Sequence, residues 1–117
     1  MEKVSKETCK KRLKGIDDAL YAIGGKWKLK IIIALIEGYT RFNEMQRTIG
    51  ISAKMLSLEL KELELNGFLT REVHPGPPVV VEYKVTEYSD SLQEVLQVLS
   101  NWGEKHREKI RQERSGK

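Results

Sequence analysis

A mainly α fold carrying one small β-hairpin is expected, on three observations. Apolar residues recur at helical spacing through most of the chain. Two short runs of β-formers, Phe68 to Val73 and Val79 to Val85, flank the segment HPGPP, which suits neither helix nor ladder. A short turn, Gly50 to Ser52, separates two amphipathic patterns just upstream of that hairpin.

The elements follow in order. Residues 1–12 are polar and basic and are expected to fray. Ile16, Ala19, Leu20 and Ile23 mark one face of a short helix that Gly24 and Gly25 end. Lys26 to Glu37 is apolar nearly all round, which predicts a buried helix stopped by Gly38. Phe42, Met45 and Ile49 space a short helix that Gly50 closes. Ser52 then has the side chain of an N-cap, and Ile51 before it can staple onto Leu56. Leu56, Leu60 and Leu63 form the buried stripe of the helix that Asn66 and Gly67 end. A hairpin follows, with a loop of five residues or more. Thr86 is expected to cap a long last helix along which Leu92, Val95, Leu96, Leu99, Trp102, His106 and Ile110 keep near-heptad spacing. Its end, KHREKIRQERSGK, is charged and should be solvated.

Composition narrows the function classes. The chain has 117 residues, enough for one domain with a core. Its net charge of +4 permits a polyanionic partner without demanding one. No apolar run approaches the ~20 residues of a membrane span, and the Lys-rich start lacks a signal-peptide core. A cytoplasmic protein without a membrane partner is expected. A single cysteine, Cys9, excludes an intrachain disulfide framework and a cysteine-based zinc cluster. Only His74 and His106 are present, and no metal-ligand spacing, phosphate loop or nucleophile motif occurs. No enzyme, cofactor or metal is expected.

Helix, turn, helix and hairpin in this order make a winged helix-turn-helix. The face opposite the leucine stripe carries the functional signal. Lys54, Ser57, Leu58 and Lys61 share one side, with Ser52, Ala53 and Met55 at its start. Glu59, Glu62 and Glu64 fall later. Small, polar and basic residues at a helix start suit entry into the major groove, and the helix dipole favours a phosphate there. Lys26, Lys28, Arg41, Arg47 and Arg71 are further candidate phosphate contacts, since lysine and arginine bind phosphate through charge. The wing loop has no Lys or Arg, so His74 is its one candidate side chain. A winged-helix module for protein contact, without specific DNA binding, is the alternative.

These residues carry a family resemblance. GGKW at 24–27, RFNEM at 41–45, ISAKML at 51–56, LKELELNGFLTR at 60–71, VEYKVTE at 81–87 and WGEKH at 102–106 resemble ordered motifs of the HxlR-type bacterial regulators. These are winged-helix proteins related to the MarR class. The resemblance spans about Cys9 to His106. It implies a homodimer on double-stranded operator DNA, joined through its first and last helices. Ile16, Leu20, Leu92, Val95, Leu96, Leu99, Trp102 and His106 are the corresponding interface candidates. The implied organisation is a flexible segment at 1–12, a winged helix-turn-helix with dimerisation helices at 13–103, and a charged helix end at 104–117.

Three positions depart from the pattern. Val80 stands where members often carry a basic wing residue, Ser89 where they often have glycine, and Lys10 where proline usually follows the cysteine. Some members sense oxidants or electrophiles through that cysteine. Lys6, Lys10, Lys11 and Arg12 surround Cys9, and nearby cations favour the reactive thiolate form of a thiol. Cys9 is therefore the candidate redox sensor. The sequence leaves open which oxidant or small molecule would act as effector.

Overall fold

A computed structural model describes residues 5–116. Its elements are α1 (Lys6–Ile23), α2 (Lys28–Ile36), α3 (Phe42–Ile49), α4 (Ala53–Leu65), β1 (Leu69–His74), β2 (Val80–Val85), a 3-10 segment (Glu87–Leu92) and α5 (Gln93–Ser115). The two strands form one antiparallel ladder running from Leu69 opposite Val85 to His74 opposite Val80. Pro75 to Val79 make the loop between them, five residues long as the register requires.

The core lies where α2, α3, α4 and the root of the hairpin meet. Ile31 and Ile32 of α2, Met45 of α3, Leu56 and Leu63 of α4 and Leu69 of β1 are fully buried. Leu60 completes the stripe on α4, so its spacing of four and then three residues faces one side of the helix as expected. Truncating a fully buried leucine of this kind costs about 2–5 kcal/mol. Helix α2 is less uniformly buried than its composition suggested. Ile33 and Ile36 are exposed, because α2 packs on α3, α4 and β2 with only part of its circumference.

Glycines end the helices where the backbone turns left-handed. Gly50 has φ 78° and closes α3, its N–H donating to the Gln46 carbonyl at 2.9 Å. Gly67 has φ 82° and follows α4, its N–H donating to the Glu64 carbonyl. A side chain at either site would strain the turn.

Helix α1 begins earlier than the polar composition of residues 1–12 predicted. Ser5 caps it, its Oγ accepting the Thr8 N–H at 3.1 Å, and Glu7 sits in the positive first turn. Residues 6–12 are mostly good helix formers, so they extend the helix although they bury nothing. Residues 1–4, also expected to fray, lie outside the described residues.

The start of the last helix also differs from expectation. The Thr86 side chain caps nothing. Its hydroxyl donates to the Gly67 carbonyl at 2.6 Å, and its N–H donates to the Phe68 carbonyl at 3.1 Å. Ser89 is buried, and its hydroxyl donates to the same Phe68 carbonyl. Phe68 and Tyr88 stack with ring centroids 5.2 Å apart. The 3-10 segment is thus lashed to the junction of α4 and β1, and that junction aims α5. Ser89, where the resemblance led us to expect glycine, supplies one of the fastenings.

The terminal helices stand off the core. The Cα radius of gyration is 18.0 Å, against about 13 Å for a compact domain of this length. No α1 residue is buried; only Ala22 and Ile23 at its end rest against the core. Of the near-heptad stripe, Leu92 at the end of the 3-10 segment and Leu96 of α5 are buried in the chain's own core, while Val95, Leu99 and Trp102 are exposed, as is Val98, which was not part of that stripe.

One ion cluster fastens α2 to α4. Lys28 is only 8% exposed, and its Nζ lies 2.9 Å from Glu59 Oε2 and 2.6 Å from Glu62 Oε2. Burial works against the charged ammonium. Hydrogen bonds to Glu62 and Glu59, with the charge of both, outweigh it and hold the pKa above the usual lysine value. A group whose folded pKa is raised stabilises fully below its unfolded value and loses that contribution as pH rises through the folded one. Lys28→Ala is expected to lower unfolding free energy by about 1–3 kcal/mol near neutral pH, by leaving the largely buried Glu59 without its partner. Urea unfolding should show the gap to the parent closing in strongly alkaline buffer, above the lysine value of 10.5. A gap that closes on acidification but persists in alkali would contradict the assignment of the effect to the ammonium.

Candidate nucleic-acid interface

The turn between α3 and α4 sets the site. Ile51 is buried beside Leu56 in the core cluster, so Ser52 is held at the rim. The Ser52 hydroxyl accepts the Met55 N–H at 3.1 Å, the cap its sequence position suggested. Ser52, Ala53, Lys54 and Met55 are all exposed. The leucine stripe turns the opposite face of α4 outward, and Lys54, Ser57, Leu58 and Lys61 stand on it, exposed.

Two grooves gather the remaining candidates. Between α4 and the hairpin, Ser57, Lys61 and Arg71 line one groove with Leu60, Glu64 and Tyr83. Between α3 and the wing, Arg41 and Arg47 line another with Asn43 and Pro78 to Val81. Arg41 opens α3, its N–H donating to Glu44 Oε1 at 3.2 Å. Arg41 and Arg47 thus border one side of the wing, and Lys61 and Arg71 border the groove between α4 and the hairpin.

Lys26 stays outside both grooves. Its Nζ lies 4.7 Å from the Trp27 ring centre, and Lys30, which the sequence did not single out, lies 5.1 Å from it. These are cation–π contacts at the start of α2.

Lys28 is a correction. Its buried ammonium is committed to Glu59 and Glu62, so it has no surface to offer a phosphate. The same pairs explain two of the acids on α4. They hold the helix to α2 rather than merely marking where it would leave a groove.

The wing is fastened through groups that the sequence did not flag. Glu82 Oε2 accepts the Thr40 hydroxyl at 3.0 Å, and the Tyr83 N–H donates to the Thr40 carbonyl at 2.9 Å. On the other side of the same carboxylate, His74 Nε2 lies 3.0 Å from Glu82 Oε1 and 3.8 Å from Glu72 Oε2. Lys84 Nζ lies 3.3 Å from Glu72. His74, expected as the loop's free side chain, is instead part of this clasp at the end of β1. The chain's only cue was the acidic residue in VEYKVTE. Its partner Thr40 lies 42 positions away, beyond any local pattern.

The terminal helices give the second candidate surface. Ile16 and Leu20 on α1 are exposed, as are Leu13 and Tyr21, which were not anticipated. On α5, Val95, Leu99 and Trp102 line a shallow apolar groove with Ser91, Glu94 and Val98. His106 is exposed and stacks on Trp102, with ring centroids 5.1 Å apart. Leu92 and Leu96 are corrections. They are spent on the chain's own core and have almost no surface left for a second chain. Cys9 is exposed on α1, beside Arg12, Leu13 and Ile16.

Among the described residues, no group of three or more His, Cys, Asp or Glu could hold a metal ion. No described helix is long and apolar enough to cross a membrane.

Comparison with known proteins agrees with this architecture. The chain is 41% identical over 96 residues to the HTH-type transcriptional regulator YdeP of Bacillus subtilis, covering 81% of this chain and 75% of that one. The redox regulator HypR in its reduced form matches with a TM-score of 0.76 and 38% identity, over 83% of this chain and 97% of that one. Diamide-treated YodB from B. subtilis matches with a TM-score of 0.65 and 41% identity, over 76% and 89%. These proteins are regulators, not enzymes, and the fold is that of a winged helix-turn-helix regulator. The family model described as HxlR-like helix-turn-helix matches residues 22–111, and the chain is a transcriptional regulator belonging to that family.

Proposed function

We propose that the protein acts in the cytoplasm as a homodimer that binds operator DNA in a sequence-specific manner. The observation that carries the reading is the open start of α4. Its cap is satisfied internally, its leucines are buried, and Lys54, Ser57 and Lys61 face solvent beside Arg71. In the proposed complex this end enters the major groove, and Arg41 and Arg47 grip the backbone nearby.

Dimerisation rests on the terminal helices. A helix of this kind gains most of its stability from packing an apolar face, and α1 has almost nothing of its own chain to pack against. Leu13, Ile16 and Leu20 of α1 and Val95, Leu99 and Trp102 of α5 are the surface that a second copy would cover. Two tips then meet half-sites about one helical turn apart, ~34–36 Å. An effector acts by favouring a dimer geometry in which the tips no longer match that spacing.

Cys9 is placed to supply such a signal. It lies on the arm that the second copy would cover, and two of the similar proteins carry redox or diamide treatment in their descriptions. A two-electron oxidant such as diamide would take two electrons and two protons from the Cys9 thiols of two paired copies, leaving one disulfide, or from one Cys9 thiol and a small thiol, leaving a mixed disulfide, and either would repack that arm.

Two measurements check this reading. In fluorescence anisotropy with a selected operator duplex, log K should fall linearly with log salt. Lys54→Ala is expected to weaken binding and to reduce that slope by about 1, whereas Lys109→Ala near the end of α5 should leave both unchanged. Equal effects from the two substitutions, or affinity indifferent to salt, would favour a protein-contact module instead. Separately, diamide should shift the parent on non-reducing gels and lower its operator affinity, and Cys9→Ser should be immune. If diamide leaves operator affinity unchanged in both, the sensor role of Cys9 is wrong.

A further inference from the structure

Helix α4 lacks the side chains that usually read adenine. From Ala53 to Leu65 it contains no Asn, Gln or Arg. Adenine is ordinarily recognised in the major groove by the amide fork of Asn or Gln on its N6 and N7. The hydrogen-bonding side chains on the exposed half of α4 are Lys54, Ser57, Lys61 and, nearer its end, Glu64, which suits cytosine N4 and not adenine, with the Ser52 oxygen already accepting the Met55 N–H. Glu59 and Glu62 are engaged by Lys28. Lysine suits guanine O6 and N7, and serine is indifferent between bases.

What the same face offers instead is apolar. Leu58 is 52% exposed at the centre of the side opposite the leucine stripe, and Met55 is 38% exposed one turn before it. Ala53 is exposed at the first helical position. Lys54 and Lys61 flank Leu58, and Arg71 stands across the groove from Lys61. An apolar spot ringed by cations suits a polyanion that presents methyl groups. The major groove does so at one place, the C5-methyl of thymine.

We infer that this protein recognises the A·T pairs of its half-site from the thymine side, through contact of Leu58 and Met55 with thymine C5-methyl groups. The inference rests on the proposed DNA-binding function and names the chemical group that is read. Lys54 and Lys61 add guanine or phosphate contacts around these methyl contacts. Leu58 is then a specificity-determining residue, although it forms no hydrogen bond through its side chain.

The test uses the full-length protein and a duplex selected from a randomised library. Each thymine in turn is replaced by deoxyuridine, which removes the methyl and keeps every hydrogen-bonding atom. One or two positions per half-site should weaken binding by about fourfold or more, the value of one buried methyl. The slope of log K against log salt should not change, because no phosphate contact is lost. Leu58→Ala or Met55→Ala should erase the difference between thymine and deoxyuridine at the position each one reads. Both side chains are exposed, so neither substitution should unfold the protein. Indifference to deoxyuridine at every position, with salt-dependent binding intact, would overturn the inference and leave DNA binding standing. A deoxyuridine effect that survives both substitutions would overturn the assignment to these residues. Failure of selection to enrich any sequence would overturn both the inference and the function on which it rests.

Discussion

The burial of Leu56, Leu60 and Leu63 is the constraint on which the rest of the molecule depends. A helix can bury only one stripe, so seating these leucines against the core commits the opposite face to solvent. That face is where Lys54, Ser57, Leu58 and Lys61 lie. Ile51 pins the turn before the helix, and the Ser52 hydroxyl satisfies the Met55 N–H of the exposed first turn. Lys28 then ties the far side of α4 to α2 through Glu59 and Glu62. The tip of α4 is exposed while the helix behind it is fastened.

The wing follows the same logic with polar groups. Glu82 joins Thr40, just before α3, to His74 at the end of β1. The hairpin is therefore held against the helix-turn-helix rather than hanging from it. A wing loop without Lys or Arg gains little from phosphate charge. Its position can still shape the groove that Arg41 and Arg47 border with Pro78 and Val80. Val80 at the start of β2 brings no cation to the wing, while the clasp at His74 and Glu82 holds the hairpin in place.

Much of this was legible in the sequence, and what was not has physical reasons. The α4 stripe, the Ser52 cap, the helix stops at Gly50 and Gly67 and the five-residue hairpin loop all depend on residues within a few positions of each other. Local chemistry decides them, and they came out as expected. Lys28 read as a candidate phosphate contact because its partner Glu59 lies 31 positions further along, and periodicity carries no information about such pairs. The near-heptad pattern of α5 merged two faces. Leu92 and Leu96 serve the chain's own core, and Val95, Leu99 and Trp102 look outward. Spacing identifies apolar positions without saying which chain covers them. The first turns of α1 were missed because residues 6–12 are polar and charged apart from Cys9, so they carry no apolar period to detect.

The extended arms connect fold to regulation. An isolated winged head needs no such projections, and apolar helices left in water are a standing invitation to a second copy. If that copy pairs through α1 and α5, the separation of the two α4 tips becomes the quantity that an effector controls. It is measured most directly by pulsed electron–electron resonance on spin labels at Lys54→Cys in a Cys9→Ser background. The account predicts a single distance population near ~34–36 Å, one turn of B-form DNA, in the free dimer. Absence of any intersubunit distance at concentrations that saturate the operator, or a population far from a whole number of helical turns, would contradict it.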